Sequence, residues 1–234
     1  MRRLLLAALA TAACAGVGAP GAAAARECDA LPVCVPVAGP WVVVPTTVAV
    51  PRPLARYQVT CPRGHVVAGV DAELSHRSLD VTWSALPGSP VNPGISTERS
   101  TLFTAVFTGA GAPAVTFRPR IGCIPTSGGG GRIPTAVAAF PPGPPAVRRV
   151  RTVRVRSGTT QTVTQGCAAG ERLVAAWHAV GFATASPPPP ALVRAVRARR
   201  AIRGDRVVVA ARTGAALGAR SALVQAGVVC GGAP

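Results

Sequence analysis

Four groups of residues in this chain are of types that could do chemistry. The first is Ser75-His76-Arg77-Ser78 with Asp71, Glu73 and Asp80 close by, where acids, a histidine and hydroxyls gather. On a strand Asp71 and Glu73 would point the same way, so a cation site or an acid–base pair is conceivable. However, no Gly-x-Ser-x-Gly elbow, His-Glu-x-x-His or comparable motif accompanies them. A polar turn between two strands carries such residues as a matter of course. His65 and His178 stand apart from any such cluster. The sequence therefore points to no catalytic residue and no cofactor.

The second group is arginine. All 25 basic residues are arginine and none is lysine, in a chain also rich in Ala, Gly, Pro and Val, as a GC-rich genome would encode. The net charge of +17 is uneven. Residues 26–145 hold nine Arg against six Asp or Glu, and residues 146–234 hold fourteen against two. Within 150–156, Val153 and Val155 would share one strand face and Thr152, Arg154 and Arg156 the other. Arg194, Arg197, Arg199 and Arg200 add charge if their strand lies nearby. A strip of arginines on a sheet could hold phosphate or carboxylate groups bidentately. The plainer reading is that arginine covers a solvent face and guards sheet edges. Arg154, Arg156, Arg194, Arg197 and Arg199 are the candidate anion-binding residues. The partners they imply are anionic cell-envelope polymers or lipid headgroups. With aromatics at 4% and no stacking motif, specific nucleic-acid binding is not expected.

Trp41, Trp83 and Trp177 would each suit a sugar-stacking platform, but each lies in an apolar strand run and is expected in a core. Arg203-Gly204-Asp205 matches an adhesion tripeptide, yet Gly-Asp between two predicted strands is ordinary turn chemistry.

The last group is cysteine, and it speaks of compartment. Arg2 and Arg3 precede an apolar stretch over 4–17, and a small-residue run ends at Ala25. This reads as a secretory signal peptide over 1–25, too short to span a membrane. A lipoprotein signal ending at Cys14, anchoring the chain at the envelope, is the alternative. No later segment is long and apolar enough to span. Removing Cys14 leaves an even six cysteines, as a disulfide framework in an oxidising compartment requires. No Cys-x-x-Cys pair or matching histidine spacing favours a metal.

These residues must be positioned by a segment the chain carries twice. Cys61 and Cys123 are 62 residues apart, Cys167 and Cys230 63 apart. Each opening cysteine is followed at the third position by glycine (Gly64, Gly170), then by an apolar run, and each copy closes on two β-like runs. A matched period marks a duplicated unit. Equivalent cysteines should pair alike, which gives Cys61–Cys123 and Cys167–Cys230 and leaves Cys28–Cys34 as a short clip. Beyond the leader, the organisation is a Cys/Pro-rich lead-in over 26–40, a first β-domain over 41–125, a Gly/Pro-rich linker over 126–145, and a basic second β-domain over 146–234. Valine-rich runs around turns predict an opening hairpin in each domain, 41–50 with 56–61 and 147–156 with 159–167. Predicted strands follow at 66–74, 79–86, 102–108 and 114–123, then at 173–184, 207–211 and 222–230. Residues 192–200 fit a short helix as well as a strand, and position in the repeat favours strand. The expected fold is all-β: two tandem antiparallel β-sandwich-like domains from an internal duplication, each with one intradomain disulfide. An immunoglobulin-like fold is disfavoured, because Ile121 and Val228 stand where that fold has a tyrosine before its second cysteine.

The Cys61-Pro62-Arg63-Gly64 start with its valine-rich continuation resembles uncharacterised secreted bacterial β-domain proteins. The resemblance implies export and a β fold and names no activity. The function expected is a non-enzymatic structural or binding protein of the bacterial envelope or exterior, associating with anionic polymers or lipids through its basic second domain. The alternative is a secreted hydrolase or carbohydrate-binding module using residues 75–80 or a tryptophan.

Overall fold

The computed structural model describes residues 26–29, 31, 33–47, 51–84, 99–112, 114–126 and 146–232. The segment expected to be a signal peptide, with Cys14, nearly all of the expected linker and the end of the strand expected over 79–86 lie outside the described residues.

Among the described residues thirteen strands form: β1 (Val35–Ala38), β2 (Trp41–Val44), β3 (Leu54–Thr60), β4 (His65–Leu74), β5 (Leu79–Ser84), β6 (Ser100–Phe107), β7 (Val115–Pro125), β8 (Ala146–Arg156), β9 (Thr160–Gly166), β10 (Arg172–Phe182), β11 (Val196–Arg203), β12 (Arg206–Thr213) and β13 (Ser221–Gly231). One short helix, α1 (Pro190–Arg194), and two 3-10 turns (Arg26–Cys28, Ala215–Leu217) complete them. The chain is all-β and every pairing is antiparallel. Period-two burial explains the choice of strand. In β12, Val207, Val209 and Ala211 are buried while Arg206, Ala210 and Arg212 are exposed.

The strands arrange alike in the two halves. In the second half, β13 lies between β8 and β10, and a smaller sheet runs β9–β12–β11. In the first, β7 has β4 on one side and β1 and β2 on the other, and the smaller sheet runs β3–β6–β5. Both β4 and β10 shift register at the same place, between Val67 and Gly69 and between Leu173 and Ala175. In each half the two sheets face each other across a core: Tyr57, Phe103, Phe107, Phe117 and Ile121 in one, Val155, Val163, Val207, Val209 and Val224 in the other. Cys61, just past β3, bonds to Cys123 on β7, and Cys167, just past β9, bonds to Cys230 on β13, each bridge tying small sheet to large. Cys28 bonds to Cys34.

Two expectations need correction. The opening hairpins do not form: β2 pairs with β7 and β10 while β3 pairs with β6, and β8 pairs with β13 while β9 pairs with β12. The chain crosses between sheets at those turns, so both valine runs face one core, as Val155 and Val163 do. The lead-in over 26–40 contributes β1, which pairs with β7. The first 3-10 turn packs so closely that a Cβ on Gly69 or Gly122 would sit 1.9 or 2.0 Å from the carbonyl oxygen of Glu27. Residues 192–200 are helix and then strand: α1 seats Leu192 beside Phe182 and Leu217, and β11 starts at Val196.

The halves share one seven-stranded sheet, because β2 also pairs with β10. The first half's small sheet rests on the outer face of β10, β13 and β8. There Leu102 packs with Trp177 and Val229. Gln225, 2% exposed, accepts a hydrogen bond from the Gln58 amide at 2.8 Å and donates to the Gln58 carbonyl at 3.1 Å.

Candidate anion-binding face

The small sheet of the second half turns its outer face to solvent, and the register fixes what that face carries. β11 and β12 meet at the two-residue turn Gly204-Asp205, with Gly204 at φ +57°, a conformation glycine adopts at no steric cost. The adhesion-like tripeptide is therefore part of a hairpin turn. Counting back from it places Arg203 directly opposite Arg206, and Arg197 directly opposite Arg212. Because Val207, Val209 and Ala211 point into the core, their neighbours Arg206, Val208, Ala210 and Arg212 point out, along with Arg197, Arg199, Ala201 and Arg203. On the third strand, Thr160, Thr162 and Thr164 stand opposite Arg212, Ala210 and Val208.

The face thus has an arginine pair at each end, Arg199 between them on β11, and a floor of Ala, Val and Thr. All five arginines are exposed. No ion pair among the described residues engages any of them. Like charges directly opposite on adjacent strands destabilise a sheet, by roughly 0.2–1 kcal/mol a pair if the cost mirrors that of an opposite-charge pair. Residues 146–232 contain only two acids, Asp205 at the turn and Glu171. Glu171 is engaged elsewhere. Arg149 grips its carboxylate at 2.5 and 2.9 Å, which with a hydrogen bond from the Ala168 amide holds it below the usual carboxylate range. Its proximity to Cys167 and Cys230 makes no metal site, because those sulfurs are bonded to each other.

The candidate arginines divide. Arg197 and Arg199 lie on this face. Arg154 and Arg156 do not: they alternate with buried Val155 on β8, in the large sheet, and so point out on the opposite side of the core. Arg194 is exposed in the last turn of α1. A single strip of all five is ruled out by β8 and β11 belonging to sheets that face each other. Arg203, Arg206 and Arg212 were missed, although the Gly-Asp turn and the alternation through 206–212 were there to be counted.

Several of the remaining candidates have structural roles. Ser75 Oγ accepts from the Thr116 amide at 2.8 Å, and His76 accepts from Ser78 at 3.1 Å while stacking edge-on against Phe107. Arg120 donates to Glu73 and, at 2.8 Å, to the buried Glu27. Trp41 and Trp177 are each 3% exposed. Trp83 is the exception to the expected core placement, at 49% exposed, because it lies on edge strand β5 beside a shallow apolar groove between β4 and β5. A crevice of about 730 Å³ lies between β3 and the second half, lined among others by Tyr57, Gln58, Arg118, Thr152 and Gln225. Burial pushes the Tyr57 hydroxyl up to about 12, against the hydrogen bond with Thr152. No helix among the described residues is long and apolar enough to cross a membrane.

No protein-family model, curated protein or solved structure matches the chain.

Proposed function

We propose that this is an exported, non-enzymatic binding protein built from two copies of one disulfide-bonded β-sandwich unit, and that it associates with anionic polymers of the bacterial envelope through the outer face of the β9–β12–β11 sheet. The repeated strand order, the register shift shared by β4 and β10, and the bridge just past β3 and β9 support the duplication. The observation that carries the binding reading is the pair of opposed arginine couples, Arg197 with Arg212 and Arg203 with Arg206, on a face without a carboxylate outside its turn. Solvating a sheet needs charge but not like charges set against each other. An anion lying between them turns the repulsion into two charge-assisted contacts.

Binding of long-chain polyphosphate, followed by fluorescence anisotropy across salt concentration, tests this. If all five arginines release counterions, log affinity falls with log salt at a slope of about −3.5, taking roughly 0.7 per contact, which is on the order of a hundredfold between 50 and 200 mM. An affinity unchanged over that range, or equal binding of an uncharged polymer, rejects the electrostatic reading.

A further inference from the structure

Resting on that reading, we infer that the polymer lies along the strands, spans both arginine pairs at once, and must be at least ~20 Å long to do so, from the six-residue separation of Arg206 and Arg212 at ~3.4 Å per residue. Arg199 stands two residues beyond Arg197, or ~7 Å, on the same line along β11. The long axis of the charge pattern is therefore the strand axis. Across the strands the arginines occupy only β11 and β12, while β9 contributes the threonine hydroxyls Thr160, Thr162 and Thr164. Hydroxyls donate to anionic oxygens without adding charge, so they suit the flank of a chain whose charged spine runs over the arginines. Apart from Arg199, the floor between the pairs is Ala201, Val208 and Ala210, low enough for an extended backbone to pass over.

A linear chain fits this pattern better than a lipid surface. Proteins that lie on bilayers usually offer large apolar or aromatic side chains for insertion. Here the apolar residues are two alanines and a half-buried valine, set between the charges. A row of charge in one direction, with neutral donors beside it, matches a polymer whose acids recur along a line.

The two pairs act as linked sites. A short anion occupies one pair and gains nothing from the other. A chain that reaches both converts the second contact into an intramolecular one. Affinity should therefore rise in a step with chain length rather than smoothly.

Polyphosphates of graded length, with the mature chain, are the probe, and vesicles containing anionic lipid form a parallel arm. Expected is a gain on the order of 10² when the chain first reaches ~20 Å end to end. Arg197→Thr/Arg212→Thr and Arg203→Thr/Arg206→Thr, made separately, should each abolish the step and leave short chains bound only at the remaining pair, with about half the sites of the wild type. Both variants change exposed residues only, and circular dichroism and melting check that they fold. A smooth rise with length, insensitive to which pair is removed, overturns the axial arrangement and leaves the polyanion reading standing. Absence of binding at every length overturns that reading itself. Tighter binding to vesicles than to chains of equal charge overturns the choice of a polymer.

Discussion

Gln225→Leu isolates one of the contacts that couple the two halves. The carboxamide of Gln225 treats β3 as a neighbouring strand would, accepting from the amide of Gln58 and donating to its carbonyl, and it also donates to Thr152 at 3.2 Å. Leucine is close in volume, so a cavity contributes little. Three hydrogen bonds are lost at about 1 kcal/mol each, and Gln58 borders the crevice, where water can take over part of its backbone bonding, so the expected loss is about 3 kcal/mol. For a chain of this size that is a fall in melting temperature of about 6–12 °C. Gln225→Glu should fare no better, since it keeps one acceptor but sets a second oxygen against the Gln58 carbonyl. Calorimetry measures the melting, and hydrogen exchange measures protection at the Gln58 amide. A variant melting within a degree of the wild type, with Gln58 still protected, refutes the coupling.

Two further outcomes follow from burial. A Cβ on Gly227 would lie 2.1 Å from Cζ2 of Trp177, so Gly227→Ala should displace the indole and cost at least about 1–3 kcal/mol, visible as a red-shifted tryptophan emission; an unchanged spectrum and stability would contradict the packing. Burial, with Arg200 adding repulsion, holds the His178 imidazole below its ordinary value. The unfolded chain therefore takes up this proton first, and stability should be lost as pH falls below about 6.5. His178→Gln should flatten that part of the melting-temperature profile, and an identical slope in the variant would rule out His178 as its source.

Period-two alternation made most strands legible in advance, and the repeated cysteine spacing did the same for the cystine framework. Partner choice was not, because alternation is the same whether a strand pairs with its sequence neighbour or crosses to the opposite sheet. Val150 to Arg156 and the threonine-rich run after Gly158 look like a hairpin, yet a core needs both valine faces turned toward each other across two layers. The same blindness hid the candidate site. Arg154 and Arg197 both read as outward residues of a basic domain, and only membership of opposing sheets separates them. The pairing of β1 was equally out of reach, since a proline-rich segment gives no sign of the strand that will accept it.

The arrangement of the halves also bears on whether the arginine face is more than a solvated end. In the first half, the small sheet buries its outer Leu102 against Trp177 and Val229 of the second. Among the described residues, the corresponding face of the second half has no such neighbour. Stacked repeats commonly end in a polar face that stops further stacking, and threonine alone would serve. What a cap does not require is opposition. In the first half, the place of Arg197 and Arg212 is taken by Asp80 opposite Val106. Arg197→Thr/Arg206→Thr removes one member of each couple without creating a cavity. If the couples are held against repulsion to receive an anion, the variant should melt a few degrees higher than the wild type at low salt, from relief of roughly 0.2–1 kcal/mol per pair. Polyphosphate should then raise the melting temperature of the wild type more than that of the variant. A variant that melts lower at low salt, and gains as much from polyphosphate as the wild type, would mean that these arginines stabilise the bare sheet and that the face is a cap.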